Sequence, residues 1–205
     1  MPYIVVSLAG DHLATLFTDT NNVVSVAVAG DVVGPNAATI NATAGLYGEA
    51  EGDRHLVYLD QYTLPSGDEL VVAFASRAER QSVGRTIEEL YPNPEPMKGN
   101  WTTEEELFED FRSRSKMRCG YKFRLLNPLG EALETQTEPC VFSFSFYALW
   151  DWKHPEFLRL SLSSVTLDEI QQRKDGNTHA KLRLRIGESA SFSFQEVSAL
   201  NETRT

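Results

Sequence analysis

Within Glu138 to Leu158, EPCVFSFSFYALWDWKHPEFL, a continuously apolar row alternates with a mostly polar one: Phe142, Phe144, Phe146, Ala148, Trp150 and Trp152 fall on one set of positions, Ser143, Ser145, Tyr147, Asp151 and Lys153 on the other. Successive side chains of an extended strand point to opposite faces, so the apolar row belongs to a core and the polar row to water. A helix would scatter both rows around its axis. The alternation runs for more than twice the usual ~5–6 residues of a strand. Its far end is therefore expected at or past the edge of a sheet, where indole rings are half exposed. Trp150, Trp152, Lys153 and His154, with Tyr147 on the polar face, form the candidate site for a ligand or partner, since Trp and Tyr are enriched in binding hot spots.

The same constraint recurs elsewhere. Tyr3 to Val6, Ala14 to Phe17, Val23 to Val28, His55 to Leu59 and Leu70 to Phe74 are β-branched or aromatic runs. Gly10-Asp11, Asn21-Asn22, Gly30-Asp31, Gly34-Pro35-Asn36, Gly52-Asp53 and Pro65-Ser66-Gly67-Asp68 supply turns between them. After Met117, Tyr121, Phe123 and Leu125 alternate with Lys122 and Arg124. A turn at Asn127 to Gly130 leads into Glu131 to Thr137. Near the end, Leu182, Leu184 and Ile186 alternate with Lys181, Arg183 and Arg185, and Phe192 and Phe194 mark a last strand.

The middle of the chain has another character. Thr86-Ile87-Glu88-Glu89 and Thr102-Thr103-Glu104-Glu105-Glu106 carry the capping-box pattern, and each predicts a helix start. The second helix is expected to reach about Lys116, with Leu107, Phe108 and Phe111 on its apolar face. Tyr91-Pro92-Asn93-Pro94-Glu95-Pro96 forms an extended connector. Thr166-Leu167-Asp168-Glu169 fits a short third helix, although a strand and loop fit nearly as well. The expected fold is mainly β: an antiparallel β-sandwich, or an open barrel, with two helices inserted between two β-rich halves. Residues 1–205 are read as one domain. The alternative is a β-rich part, 1–91, and a helix plus β part, 101–205, joined by the connector. Gly-Glu-Ala/Ser and Ser-Phe-Ser-Phe recur at unequal intervals and read as turn and strand chemistry, not as a duplication.

Net charge is −10, and residues 1–70 hold nine acids against one base, Arg54, whereas residues 117–205 hold eleven of each. An acidic chain repels phosphate backbones, which argues against nucleic acid as a partner. No run approaches the ~20 apolar residues of a membrane span. The N-terminal MPYIVVSLAGDH lacks a basic flank and reads as a strand, so the expected location is cytoplasmic, with secretion the alternative raised by the Asn-x-Thr sequons at Asn41, Asn100 and Asn201. Cys119 and Cys140 bracket a predicted hairpin; a disulfide across it and two small, partly buried thiols are both compatible, the second better suited to a cytoplasmic chain.

Motifs with strong chemical meaning are missing: there is no His-Glu-x-x-His, Gly-x-Ser-x-Gly, phosphate loop, dinucleotide fingerprint or Cys-x-x-Cys. His12, His55, His154 and His179 are scattered singly, so no metal or cofactor is expected. The basic rows Lys122, Arg124, Lys181, Arg183 and Arg185 are expected in one C-terminal sheet, forming one patch suited to an acidic partner. Three functions follow. The first is a non-catalytic binding or protein-interaction module for a partner protein or small ligand. The second is an enzyme with a pocket between the sheets, drawing on His154, Asp151 or another histidine and carboxylate pair. The third is a self-assembling structural protein, a homo-oligomer held by the charge asymmetry.

Overall fold

A computed structural model describes residues 2–48, 52–94 and 103–198. Asn100, Asn201, Trp101, Thr102 and the end of the connector lie outside the described residues. In chain order the strands are β1 (Tyr3–Leu8), β2 (Asp11–Phe17), β3 (Val23–Asp31), β4 (Thr39–Leu46), β5 (Arg54–Thr63), β6 (Leu70–Ala75), β7 (Gly120–Leu126), β8 (Ala132–Gln136), β9 (Val141–Asp151), β10 (Leu158–Thr166), β11 (Asn177–Leu184) and β12 (Glu188–Val197). Helices α1 (Ile87–Leu90) and α2 (Glu104–Ser113) fall between β6 and β7, and α3 (Leu167–Gln171) follows β10. The strands form two antiparallel six-stranded sheets that pack face to face as a β-sandwich. The first sheet runs β2-β1-β6-β12-β7-β8 and the second β11-β10-β9-β3-β4-β5.

Alternation decides the packing. Phe144, Phe146, Ala148 and Trp150 of β9 point inward, as do Phe192 and Phe194 of β12 and Tyr121, Phe123 and Leu125 of β7. Phe146 stacks on Phe192 across the sandwich with centroids 4.6 Å apart, and Tyr121 meets Phe144 edge-on at 4.5 Å. Such aromatic pairs add about 0.5–1.5 kcal/mol to the burial itself. Sequence expectation and structure differ at Gly30-Asp31, which continues β3 instead of turning. A Cβ at Gly30 would collide with the Ala37 carbonyl and the Phe144 ring, so this glycine serves close packing. The turn falls just afterwards, where Asp31 Oδ1 accepts from the Val33 amide at 2.9 Å. Strands β4 and β10 are additional to those read from the sequence.

All three helices carry the expected threonine caps. Thr86 and Thr166 complete capping boxes with Glu89 and Glu169, and Thr103 Oγ1 accepts from the Glu106 amide at 3.2 Å. The helix α2 ends at Ser113, short of Lys116. Its Phe108 is buried, and its Phe111 packs on Phe142 at 5.3 Å. No described helix is long and apolar enough to cross a membrane.

The strand orders conceal a repeat. Exchanging each of β1–β6 for the strand six places later converts each sheet order into its own reverse. The two sets meet at the sheet centres, where β6 pairs with β12 and β3 with β9. Matching connections turn on matching left-handed glycines: Gly10 (φ 89°) with Gly130 (φ 78°) in the β1–β2 and β7–β8 hairpins, and Gly67 (φ 92°) with Gly187 (φ 95°) where the chain crosses from the second sheet to the first. The Ser-Phe-Ser-Phe motifs fall on β9 and β12, which are not equivalent strands, so they do not mark this repeat. Because β2 also contacts β4 and β5, strands β1–β6 form one lateral half of the sandwich. The acidic first third of the chain therefore becomes an acidic flank.

Candidate functional site

The outer face of the second sheet, over β9, β10 and β11, gathers residues from both candidate sets. Antiparallel pairing puts Tyr147, Ser161 and Lys181 in one cross-strand row and Leu149, Arg159 and Arg183 in the next. With Leu160 and Leu182 these residues line a groove of about 500 Å³. Tyr147, 36% exposed, stands in its floor. Arg159 is paired with Asp151, while Arg183 lies over the Phe157 ring, its Cζ 5.4 Å from the centroid. Among the described residues neither Lys181 nor Arg183 makes an ion pair. Arg183 directly opposes Arg159 across the strands, and because Asp151 neutralises Arg159, the unbalanced cations of the groove are Lys181 and Arg183.

The same face continues over β3 and β4, where Ser25 Oγ and Thr43 Oγ1 lie 2.9 Å apart. The Tyr47 ring covers Gly45, and its hydroxyl is 2.6 Å from His55 Nδ1. Burial first, then the negative fields of Asp53 and Tyr147, hold the Tyr47 hydroxyl above its ordinary range.

The structure divides the sequence-predicted sites. Trp150 does not belong to an exposed rim: it is 2% exposed, on the inward row of β9, and its Nε1 donates to the Pro155 carbonyl at 3.2 Å. The loop after β9 folds back over the strand end and closes it. Trp152, 59% exposed, lies in that loop beside the exposed Lys153 and His154. Asp151 builds the turn, its Oδ1 accepting from the amides of Lys153 at 3.0 Å and His154 at 3.1 Å. Asp151 thus serves as a turn former and as the partner of Arg159.

The five basic residues are not in one sheet. Lys122 and Arg124 are on β7 of the first sheet, Lys181 and Arg183 on β11 of the second, and Arg185 lies past the end of β11. Each row faces water from its own sheet, so the sandwich separates them. The groove of about 400 Å³ beside Lys122 and Arg124 also holds Glu134, which lies 3.6 Å from Arg124 and balances it.

His179 Nε2 lies 2.8 Å from Ser164 Oγ, and its Nδ1 lies 3.3 Å from Thr135 Oγ1, so the ring joins β10 and β11 to β8 of the other sheet. Burial lowers the His179 pKa, and the nearby Glu138 opposes that shift. Ser164 is 6% exposed, beside a cavity of about 60 Å³, and the third group of the chain is a hydroxyl where an activated serine would use a carboxylate. Arg118, 4% exposed, went unnoticed in the sequence; its Nε is 3.0 Å from Glu196 Oε1, and its Nη1 donates to the Asp31 carbonyl and, at 3.0 Å, to that of Gly34. A single arginine between Met117 and Cys119 carries no signal of this role. Cys119 and Cys140 are free thiols. Among the described residues no three His, Cys, Asp or Glu side chains cluster as metal ligands. Asn41 lies on β4 and its Oδ1 accepts from the Gln61 amide at 2.8 Å. No known protein family matches the chain, and no curated protein or solved structure is similar to it.

Proposed function

We propose that this protein is a non-catalytic binding module that captures an acidic partner protein on the outer face of its second sheet, at β9–β11. The observation that supports the reading is the cationic row itself: Lys181 and Arg183, two residues apart on β11, have no carboxylate partner among the described residues, whereas Arg159 beside them is already balanced by Asp151. A cluster of like charge raises the energy of the free protein, and an incoming anion relieves it. Tyr147 and Leu149 supply apolar contact beside the charges, a composition that suits a protein surface. Since Lys181 and Arg183 are exposed, their attraction decays over a Debye length of about 8 Å at physiological salt.

The test is binding of polyglutamate at low salt, followed by fluorescence anisotropy. Lys181→Glu with Arg183→Glu should leave the fold intact, because both side chains face water, and should weaken binding about tenfold or more. Reversal of Lys122 and Arg124, on the other sheet, should change it little. Equal polyglutamate binding by the Lys181/Arg183 variant and the natural protein would remove the support for this reading.

A further inference from the structure

We propose that the free edge of β11 receives an extended acidic segment of the partner protein as an added strand, a proposal that rests on the acidic-partner reading of Lys181 and Arg183. Strand β11 ends the second sheet, and among the described residues nothing pairs with its outer side. The fold contains its own precedent. In the strand repeat β11 corresponds to β5, and the outer edge of β5 is occupied by an extended segment of this chain. Arg85 exchanges both backbone hydrogen bonds with Val57, at 2.8 and 2.9 Å, and Gly84 lies close against Leu56 and Tyr58. One of two equivalent edges is thus served internally, and nothing among the described residues serves the other.

The side chains of β11 specify the strand it would accept. Lys181 and Arg183 stand on the outer face two residues apart, the spacing at which an added strand presents every second side chain. On the inner face Ala180 and Leu182 are only partly buried, and an apolar residue from a neighbour would cover them. The matching segment therefore alternates acidic and apolar residues, with main-chain hydrogen bonds giving affinity and alternate side chains giving specificity. A second copy of this chain fits less well. Pairing β11 with another β11 would bring their lysine and arginine rows together, and the β5 edge of another copy is already paired with Arg85.

The probe is a fluorescent Glu-Val-Glu-Val-Glu-Val-Glu peptide, compared with a block isomer of the same composition and with two versions N-methylated on either set of alternate residues. The alternating peptide should bind, and Lys181→Glu with Arg183→Glu should weaken it about tenfold. Methylation of one set of amides should abolish binding while the other set is tolerated, because only one set faces the edge strand. Binding that survives methylation of either set, or a block isomer that binds equally well, would overturn strand addition while leaving the acidic-partner reading in place. Failure of both this peptide and polyglutamate would overturn the two together. A dimer at low salt without peptide, lost on reversing Lys181 and Arg183, would assign the edge to a second copy and likewise overturn the proposal.

Discussion

Arg118 is a buried charge with three partners drawn from distant parts of the chain. Its guanidinium joins the segment before β7 to Glu196 on β12, to the carbonyl of Asp31 at the end of β3 and to that of Gly34 in the loop after it, so one side chain ties the first sheet to the second. Tyr121 supports the same loop through its hydroxyl, which donates to the Asp31 carbonyl; burial raises its pKa far above the ordinary value. Arg118→Leu should destabilise the protein by about 2–3 kcal/mol, less than the loss of a fully enclosed pair because Glu196 retains contact with water. A urea midpoint unchanged by the substitution would contradict that account. Nothing around position 118 announces this role, because burial of a lone arginine depends on a loop more than eighty residues away in sequence. Trp150 is the converse. Its alternation with Leu149 and Asp151 gave the correct face, but the Pro155 carbonyl that seals it comes from a loop whose path no periodicity specifies.

Most strands were legible where apolar and polar residues alternate with large side chains, as in β1, β3, β7 and β9. Strand β4 escaped because its inward row beyond Ile40 is Ala42 and Ala44, small residues with little strand preference, opposite Thr39, Asn41 and Thr43. In β10 the serines at 161, 163 and 164 are turn formers by composition, and pairing with β9 and β11 is what holds them extended. The sheet to which each basic strand belongs was not legible, since alternation fixes a face and not a neighbour. Within β11 a bulge opposite Leu162 and Ser163 places His179 between the paired residues Thr178 and Ala180 and aims its ring at Ser164, Thr135 and Phe123. The folded protein holds fewer protons at this ring than the unfolded chain, because its pKa is depressed from 6.5. Its contribution to stability is therefore complete above pH 6.5 and lost as pH falls from there through the lower folded value. Urea midpoints measured from about pH 7.5 to about pH 5.5 should decline less steeply for His179→Gln than for the natural protein. Parallel declines would mean that other groups, Glu138 included, account for the acid sensitivity.

The whole molecule joins what the sequence separates. Both the stretch before α1 and the stretch after α2 contribute three strands to each sheet, with β6–β12 and β3–β9 as the seams. If a protease site is placed between Pro94 and Thr103 and cut, the fragments should elute together at the mass of the intact protein, because each alone would expose two unpaired central strands. Separate, folded fragments would establish them as independent domains. The seams also set an order on biosynthesis. As the chain leaves the ribosome N-terminus first, β1–β6 emerge with the Val23–Val28 and Leu70–Phe74 backbones lacking their later neighbours, and β12, the strand that unites the first sheet, emerges after all the others. From Ala75 until Val141 the nascent polypeptide thus carries two valine-rich edges open at once, the interval in which a chaperone, or a premature encounter with another ribosome's product, acts on it.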